Sequence, residues 1–155
     1  MKFSEQWLRE WTNPEIEAHA LAQQITMAGL EVDSIEPVAQ MFSGIVVGEV
    51  TSVEPHPNAD KLRVCSVTDG NEYHQVVCGA PNVNVGMLVP FARVGAKLPS
   101  GDIMKKVNLR GIDSAGMLCS EAELGLAENS EGLMYLAKDA PLGEDIRSYL
   151  LLDDT

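Results

Sequence analysis

Between Ile45 and Leu109 the chain passes through five short β-rich runs separated by turn residues, and nothing between them carries the helical periodicity of a crossover. Parallel strands need a connection of about a dozen or more residues, usually a helix, so this spacing favours antiparallel pairing. The runs are Ile45–Val50, Leu62–Val67, Tyr73–Val77, Leu88–Val94 and Met104–Leu109. Asp69-Gly70 marks a tight hairpin between the second and third. Gly95, Pro99 and Gly101 separate the fourth from the fifth, and Ala115–Ser120 adds a short edge segment.

The fold class read from this pattern is mainly β. A five-stranded Greek-key barrel of the oligonucleotide/oligosaccharide-binding (OB) type fits it, with a β-sandwich as the competing architecture. Glu121–Leu126 and Gly143–Leu151 each read as one short helical turn. A small helical segment precedes the barrel. Ser4 caps a turn carrying Trp7, Leu8 and Trp11, and Asn13-Pro14 signals a second start ahead of Ile16, Leu21 and Ile25, with Gly29 as the stop. Two short helices are too little to bury both tryptophans, so this piece is expected to pack against further chain. The predicted organisation is therefore residues 1–38 as the first part of a split domain, 39–149 as the OB barrel and 150–155 as the start of a return segment. The ending Leu152-Asp153-Asp154-Thr155 carries no stop signal, which predicts a continuing chain.

A net charge of −12 argues against a polyanionic partner until its distribution is examined. From His56 to Gly111, seven cations (Lys61, Arg63, Arg93, Lys97, Lys105, Lys106, Arg110) face four acids, a local balance of +3. Residues 1–55 carry −7 and residues 112–155 carry −8. A modestly basic middle between acidic ends suits weak, salt-sensitive contact with phosphates.

Several chemistries have no footing. Cys65, Cys78 and Cys119 are odd in number and form no CxxC pair, which argues for reduced, buried thiols rather than a disulfide framework. His74 and Cys78 lie in one strand-like run, where four residues span about 13 Å, too far to share an ion. No phosphate-cradling glycine loop and no paired carboxylates in an apolar setting mark a catalytic centre. No apolar run approaches the roughly 20 residues of a membrane span, so the expected address is cytoplasmic, with no membrane partner.

Three stretches mix turn formers, polar groups and cations: HPNADKLRVCSV from His56, VVCGAPNV from Val76, and LRGIDSAGMLCSEAELGL from Leu109. In the first, Pro57-Asn58 turns the chain so that Asn58 and Lys61 project outward, and Lys61 and Arg63 share one face while Leu62 and Val64 face the core. The alternative is a hairpin edge on which lysine only discourages strand pairing. The second reads as a strand terminator, flexible at Gly79 and fixed at Pro81. In the third, Arg110-Gly111 sits at a strand end. Met117 and Ser120 follow as candidates for packing on and hydrogen-bonding an unstacked base, with Met117 as core filler the alternative.

Taken together and in this order, the three motifs resemble the tRNA-binding domain shared by endothelial monocyte-activating polypeptide, some methionyl-tRNA synthetases and the bacterial phenylalanyl-tRNA synthetase β subunit. The opening MKFSEQWLREW and the later TMAGLEVDSIEPV resemble the last of these. The resemblance implies an accessory tRNA-binding module with RNA contacts at Asn58, Lys61, Met117 and Ser120, to which charge and placement add Arg63 and Arg110. It implies no catalytic, metal or cofactor site in this stretch. For the parent enzyme it implies ATP and magnesium, attachment of phenylalanine to its tRNA, and an α2β2 tetramer whose α subunit and remaining β subunit are further partners. The sequence departs from the family pattern at Asn84-Val85 and Ala122, where a cation is frequent, which keeps open a second function as a structural interaction module within the synthetase.

Overall fold

The computed structural model describes residues 1–154 and divides into two compact units, residues 1–39 with the chain from Leu151 onward, and residues 40–150. Of the expected return segment 150–155, Thr155 lies outside the described residues.

In the first unit, α1 (Glu5–Trp11) starts where the Ser4 hydroxyl accepts the Trp7 amide, and Glu5 pairs with Arg9 one turn later. Helix α2 (Ala18–Met27) begins later than Asn13-Pro14 suggests. The cause is Arg9, whose guanidinium donates to the Pro14 and Ile16 carbonyls and holds that stretch outside helical geometry. The returning chain is stitched in by Asp154, whose backbone carbonyl accepts from Val38 N at 3.0 Å while its carboxylate accepts from Gln6 N and the Ser4 hydroxyl. Trp7 and Trp11 meet edge to face at 6.4 Å yet stay 53 % and 78 % exposed, so the unit buries neither.

The second unit is an antiparallel barrel of the OB type. Its sheet takes the order β3-β2-β1-β4-β7, built from β1 (Ser43–His56), β2 (Ala59–Thr68), β3 (Tyr73–Cys78), β4 (Leu88–Lys97) and β7 (Met117–Leu118). A separate hairpin joins β5 (Val107–Leu109) to β6 (Ile112–Ser114), and α3 (Ile146–Tyr149) follows, capped by the Asp145 side chain. Strand β1 is long because it serves two partners, β4 along its first half and β2 along its second. Gly48 lies at the crossing, where a Cβ would come within 2.8 Å of Phe91 Cβ. The free edge of β3 is covered by the end of β6 and the residue after it: Ser114 Oγ accepts Val77 N at 3.0 Å and Gln75 O accepts Ala115 N at 2.8 Å. Gly116 permits this closure, since a side chain there would strike Ala92 O and the Phe91 ring at 2.6 Å. The core inside is apolar, formed by Val46, Val50, Cys65, Val67, Val76, Val89, Phe91 and Leu118 among others.

Two details correct the sequence reading. The fifth strand of the sheet is β7, not Met104–Leu109: after Ile103 and Met104 pair briefly with the end of β4, the chain leaves the sheet and forms its own hairpin. On β2 the inward residues are Cys65 and Val67, so Leu62 and Val64 lie half-buried on the other face. Pairing explains it: Cys65 sits opposite Val53 and Val76, both directed to the core, and this fixes the parity of the whole strand.

Candidate nucleic-acid interface

The first and third motifs meet at one point. Leu109 and Ile112 pair across a two-residue loop, Arg110-Gly111, whose φ values of 52° and 91° are both positive. Both central residues left-handed is the signature of a type I′ turn, which matches the twist of its flanking strands. Gly111 adopts this freely; Arg110 is held there by its partners. The Asn58 amide donates to Arg110 O at 3.0 Å, and Arg110 Nη1 donates back to Asn58 O at 3.3 Å. Asn108 Oδ1 accepts Gly111 N at 2.9 Å and closes the turn from within. Asn58, Lys61 and Arg110 are all exposed.

Further cations lie on the hairpin and on the strands of the barrel. Lys106 pairs with Asp113 across the hairpin at 3.0 Å, and Asn108 donates to the same carboxyl. Those hydrogen bonds, Asn108 first, hold Asp113 below the usual carboxylate range. Lys105 and Lys97 are exposed. Arg63 has the parity of Cys65 and lies opposite Cys78, at the end of the barrel, where its guanidinium reaches Val83 O at 3.4 Å. Lys61 and Arg63 are both exposed, but Lys61 lies in the irregular stretch between the Pro55–Arg63 and His56–Ala59 pairs, where strand alternation is interrupted.

Met117 and Ser120 are placed differently. Met117 is half-buried on β7, opposite Ala92 and alternating with the core residue Leu118. Ser120 is 8 % exposed, and its backbone N–H and hydroxyl both donate to Glu123 Oε2, at 2.6 and 2.8 Å, while its Oγ accepts Glu123 N at 3.3 Å. This is a capping box. In this structure the Ser120 hydroxyl helps start the turn through Leu124, its one donor directed to Glu123.

Two side chains that the motif reading passed over hold the region together. His56, 5 % exposed, accepts Asn58 N at Nδ1 (3.0 Å) and meets Leu109 O at Nε2 (2.9 Å). Asn82, in the stretch read only as a strand terminator, accepts Leu133 N at 2.9 Å and donates to Leu133 O at 3.1 Å, pinning the segment after the capping box. A usable signal existed for His56: a histidine closing a strand immediately before Pro-Asn has its two ring nitrogens within reach of the turn.

All three cysteines are free and buried. Burial pushes Cys65 up to about 11 and Cys119 up to about 12, and raises Cys78 despite the Arg63 charge nearby. Among the described residues no cluster of three metal-ligating side chains occurs, and no helix is long and apolar enough to cross a membrane.

Comparison with known proteins takes in nearly the whole chain. Residues 45–145 match the family described as "Putative tRNA binding domain". The chain is 70 % identical over 155 residues to the phenylalanine–tRNA ligase β subunit of Hahella chejuensis, covering 99 % of this chain and 20 % of that protein. It is 60 % identical over 154 residues to the same subunit of Pseudomonas putida, covering 99 % and 19 %, and 59 % identical over 159 residues to that of Psychrobacter arcticus, covering 99 % and 20 %. The chain thus spans about a fifth of the length of the curated relatives it matches. In three dimensions it resembles a MetRS-related protein from Pyrococcus horikoshii, with a TM-score of 0.51 at 24 % identity over 66 % of this chain and 87 % of that one, a likeness of fold. Since the family match takes in every strand of the barrel from Ile45 onward together with the Asn58–Arg110 junction, the chain belongs to the tRNA-binding-domain family, in the form carried by phenylalanine–tRNA ligase β subunits.

Proposed function

We propose that this chain is the tRNA-binding module of a phenylalanine–tRNA ligase, and that it holds tRNA through the exposed Asn58, Lys61, Arg63 and Arg110 surface. The observation that carries the reading is the Asn58–Arg110 junction, which unites two distant motifs into one exposed patch that presents the Arg110 charge. Positive side chains on a rigid barrel suit phosphate contacts that position an RNA without reading its bases. Met117, half-buried beside the closure, supplies apolar surface at the margin. The strongly acidic remainder of the chain keeps such binding weak and salt-dependent.

In this reading the module raises the local concentration of tRNA for an enzyme that uses ATP and magnesium to attach phenylalanine. The α subunit and the rest of the β subunit, in an α2β2 assembly in the cytoplasm, supply the catalysis. Titrating the chain with tRNA of phenylalanine at low and moderate salt tests it. Binding at low salt that weakens on replacing Lys61 and Arg63 together by alanine is expected; no binding at low salt rejects the reading.

The net charge of −12 and the closed-off Ser120 hydroxyl favour one alternative, a structural interaction module of the synthetase. It predicts that deleting residues 40–150 from the full β subunit loosens the tetramer in sedimentation. An intact tetramer rejects it.

A further inference from the structure

We infer that His56 is the positioning residue of this surface: its neutral ring, protonated at Nε2, clamps the tip of the β5–β6 hairpin to the β1–β2 turn and so fixes where Asn58 and Arg110 stand. This inference rests on the proposed tRNA-binding reading for its consequence, though not for its geometry. Leu109 O can only accept, so the 2.9 Å contact puts the proton on Nε2; Nδ1 is then a bare acceptor, and the Asn58 amide fills it at 3.0 Å. One ring thereby joins residues 53 positions apart in sequence.

The hairpin needs such a clamp. Its strands are three residues each, and all three residues of β5 are exposed, including Val107 at 45 % and Leu109 at 38 %. An isolated two-stranded hairpin is marginal in water. Its root is fixed to β3 through Ser114 and Ala115, but its tip is held by the reciprocal Asn58–Arg110 bonds, which are exposed, and by His56, which is buried. Exposed hydrogen bonds exchange readily with water, whereas a buried pair that loses a partner leaves an unsatisfied group behind. His56, whose buried ring would be left with an unsatisfied donor, therefore sets the hairpin's direction.

Two conservative variants separate the two halves of the clamp. In His56→Gln the side-chain amide replaces Nε2 and keeps the bond to Leu109 O; in His56→Asn the side-chain oxygen replaces Nδ1, keeps the turn bond to Asn58 N and cannot reach Leu109. The 155-residue parent and both variants are compared by thermal melting, by amide hydrogen exchange across the hairpin, and by titration with deacylated tRNA of phenylalanine. The expected result is near-parental melting for both, accelerated hairpin exchange only in His56→Asn, and tRNA affinity lowered about three- to tenfold only in that variant, as befits one net hydrogen bond. Parental exchange in His56→Asn, or equal loss in both variants, overturns the clamp. If the parent itself binds no tRNA the proposed function falls, and the exchange comparison still decides whether His56 holds the hairpin.

Discussion

Asn58 and Arg110 hydrogen-bond each other in both directions, side chain to backbone carbonyl, across 52 residues of sequence. Each uses only part of its capacity: the arginine fork has five N–H donors, and one contact at 3.3 Å leaves the others for a phosphate. The arrangement therefore orients a cation without neutralising it. That distinguishes Arg110 from Lys106, whose charge is already paired with Asp113, and makes Arg110 the better candidate for bidentate phosphate contact.

A salt titration tests that ranking. Replacing Arg110 by alanine is expected to weaken tRNA binding and to reduce the magnitude of the log-affinity against log-salt slope by about one, the signature of one lost phosphate contact. Lys106→Ala should change the slope less. Equal effects from both would mean that the Lys106–Asp113 pair opens on binding.

Gly116 and Gly86 form a controlled pair for the barrel closure. Both have positive φ, 137° and 84°, but a Cβ at Gly116 would meet Ala92 O at 2.6 Å, while nothing stands within 4 Å of one at Gly86. Gly86→Ala should cost about 1–2 kcal/mol, the left-handed backbone penalty alone. Gly116→Ala should cost that plus overpacking, about 2–5 kcal/mol in all. Urea unfolding followed by circular dichroism measures the difference; similar midpoints would show that the 114–117 segment can shift off Phe91 at little cost.

The strands and the Asp69-Gly70 hairpin were legible because β-branched runs and a turn dipeptide are local signals. What escaped was set by distant partners. The inward parity of β2 depends on Val53 and Val76 facing Cys65, which no reading of β2 alone can supply. The type I′ turn was hidden because Arg110 is not a residue that seeks positive φ; Asn58 and Asn108 hold it there. Of the site, Asn58, Lys61 and Arg110 could be read as exposed polar groups in motifs. Glu123, three residues on, takes the Ser120 hydroxyl. The Ser-x-x-Glu spacing was a capping-box signal that the motif reading left unused.

Asp69 gives the barrel a pH dependence with a definite sign. Its Oδ1 accepts the Asn71 and Glu72 amides at the β2–β3 turn, and Oδ2 faces His74 at 3.7 Å and Arg93 at 3.4 Å. The Glu72 amide is the largest cause that holds its carboxyl below the ordinary value. A folded-state pKa below the unfolded one contributes stability that is complete above the unfolded value and lost as pH falls through the folded value. Asp69→Asn keeps an acceptor for the turn amides but removes the charge. Its destabilisation is expected to be largest near neutral pH and to shrink on acidification below about pH 4, where the parent aspartate takes up its proton in the unfolded chain. A pH-independent difference between the two proteins would show that the charge contributes nothing.

The thiols report on whether the barrel end opens. Alkylation needs the thiolate and access to it, and burial denies both: Cys65 is raised to about 11, Cys119 to about 12, and all three side chains are buried. At pH 8 the native protein should therefore resist iodoacetamide at all three positions, and mass spectrometry after urea unfolding should find all three modified. Cys78 is the informative position, since the Arg63 charge works to lower its pKa and the Arg63 contact with Val83 lies at the barrel end beside it. Replacing Arg63 by alanine removes that stabilisation of a thiolate and also loosens the end of the barrel. If opening controls access, Cys78 reacts faster in the variant; if charge controls it, Cys78 reacts more slowly still, so the direction of the change identifies which of the two roles Arg63 performs.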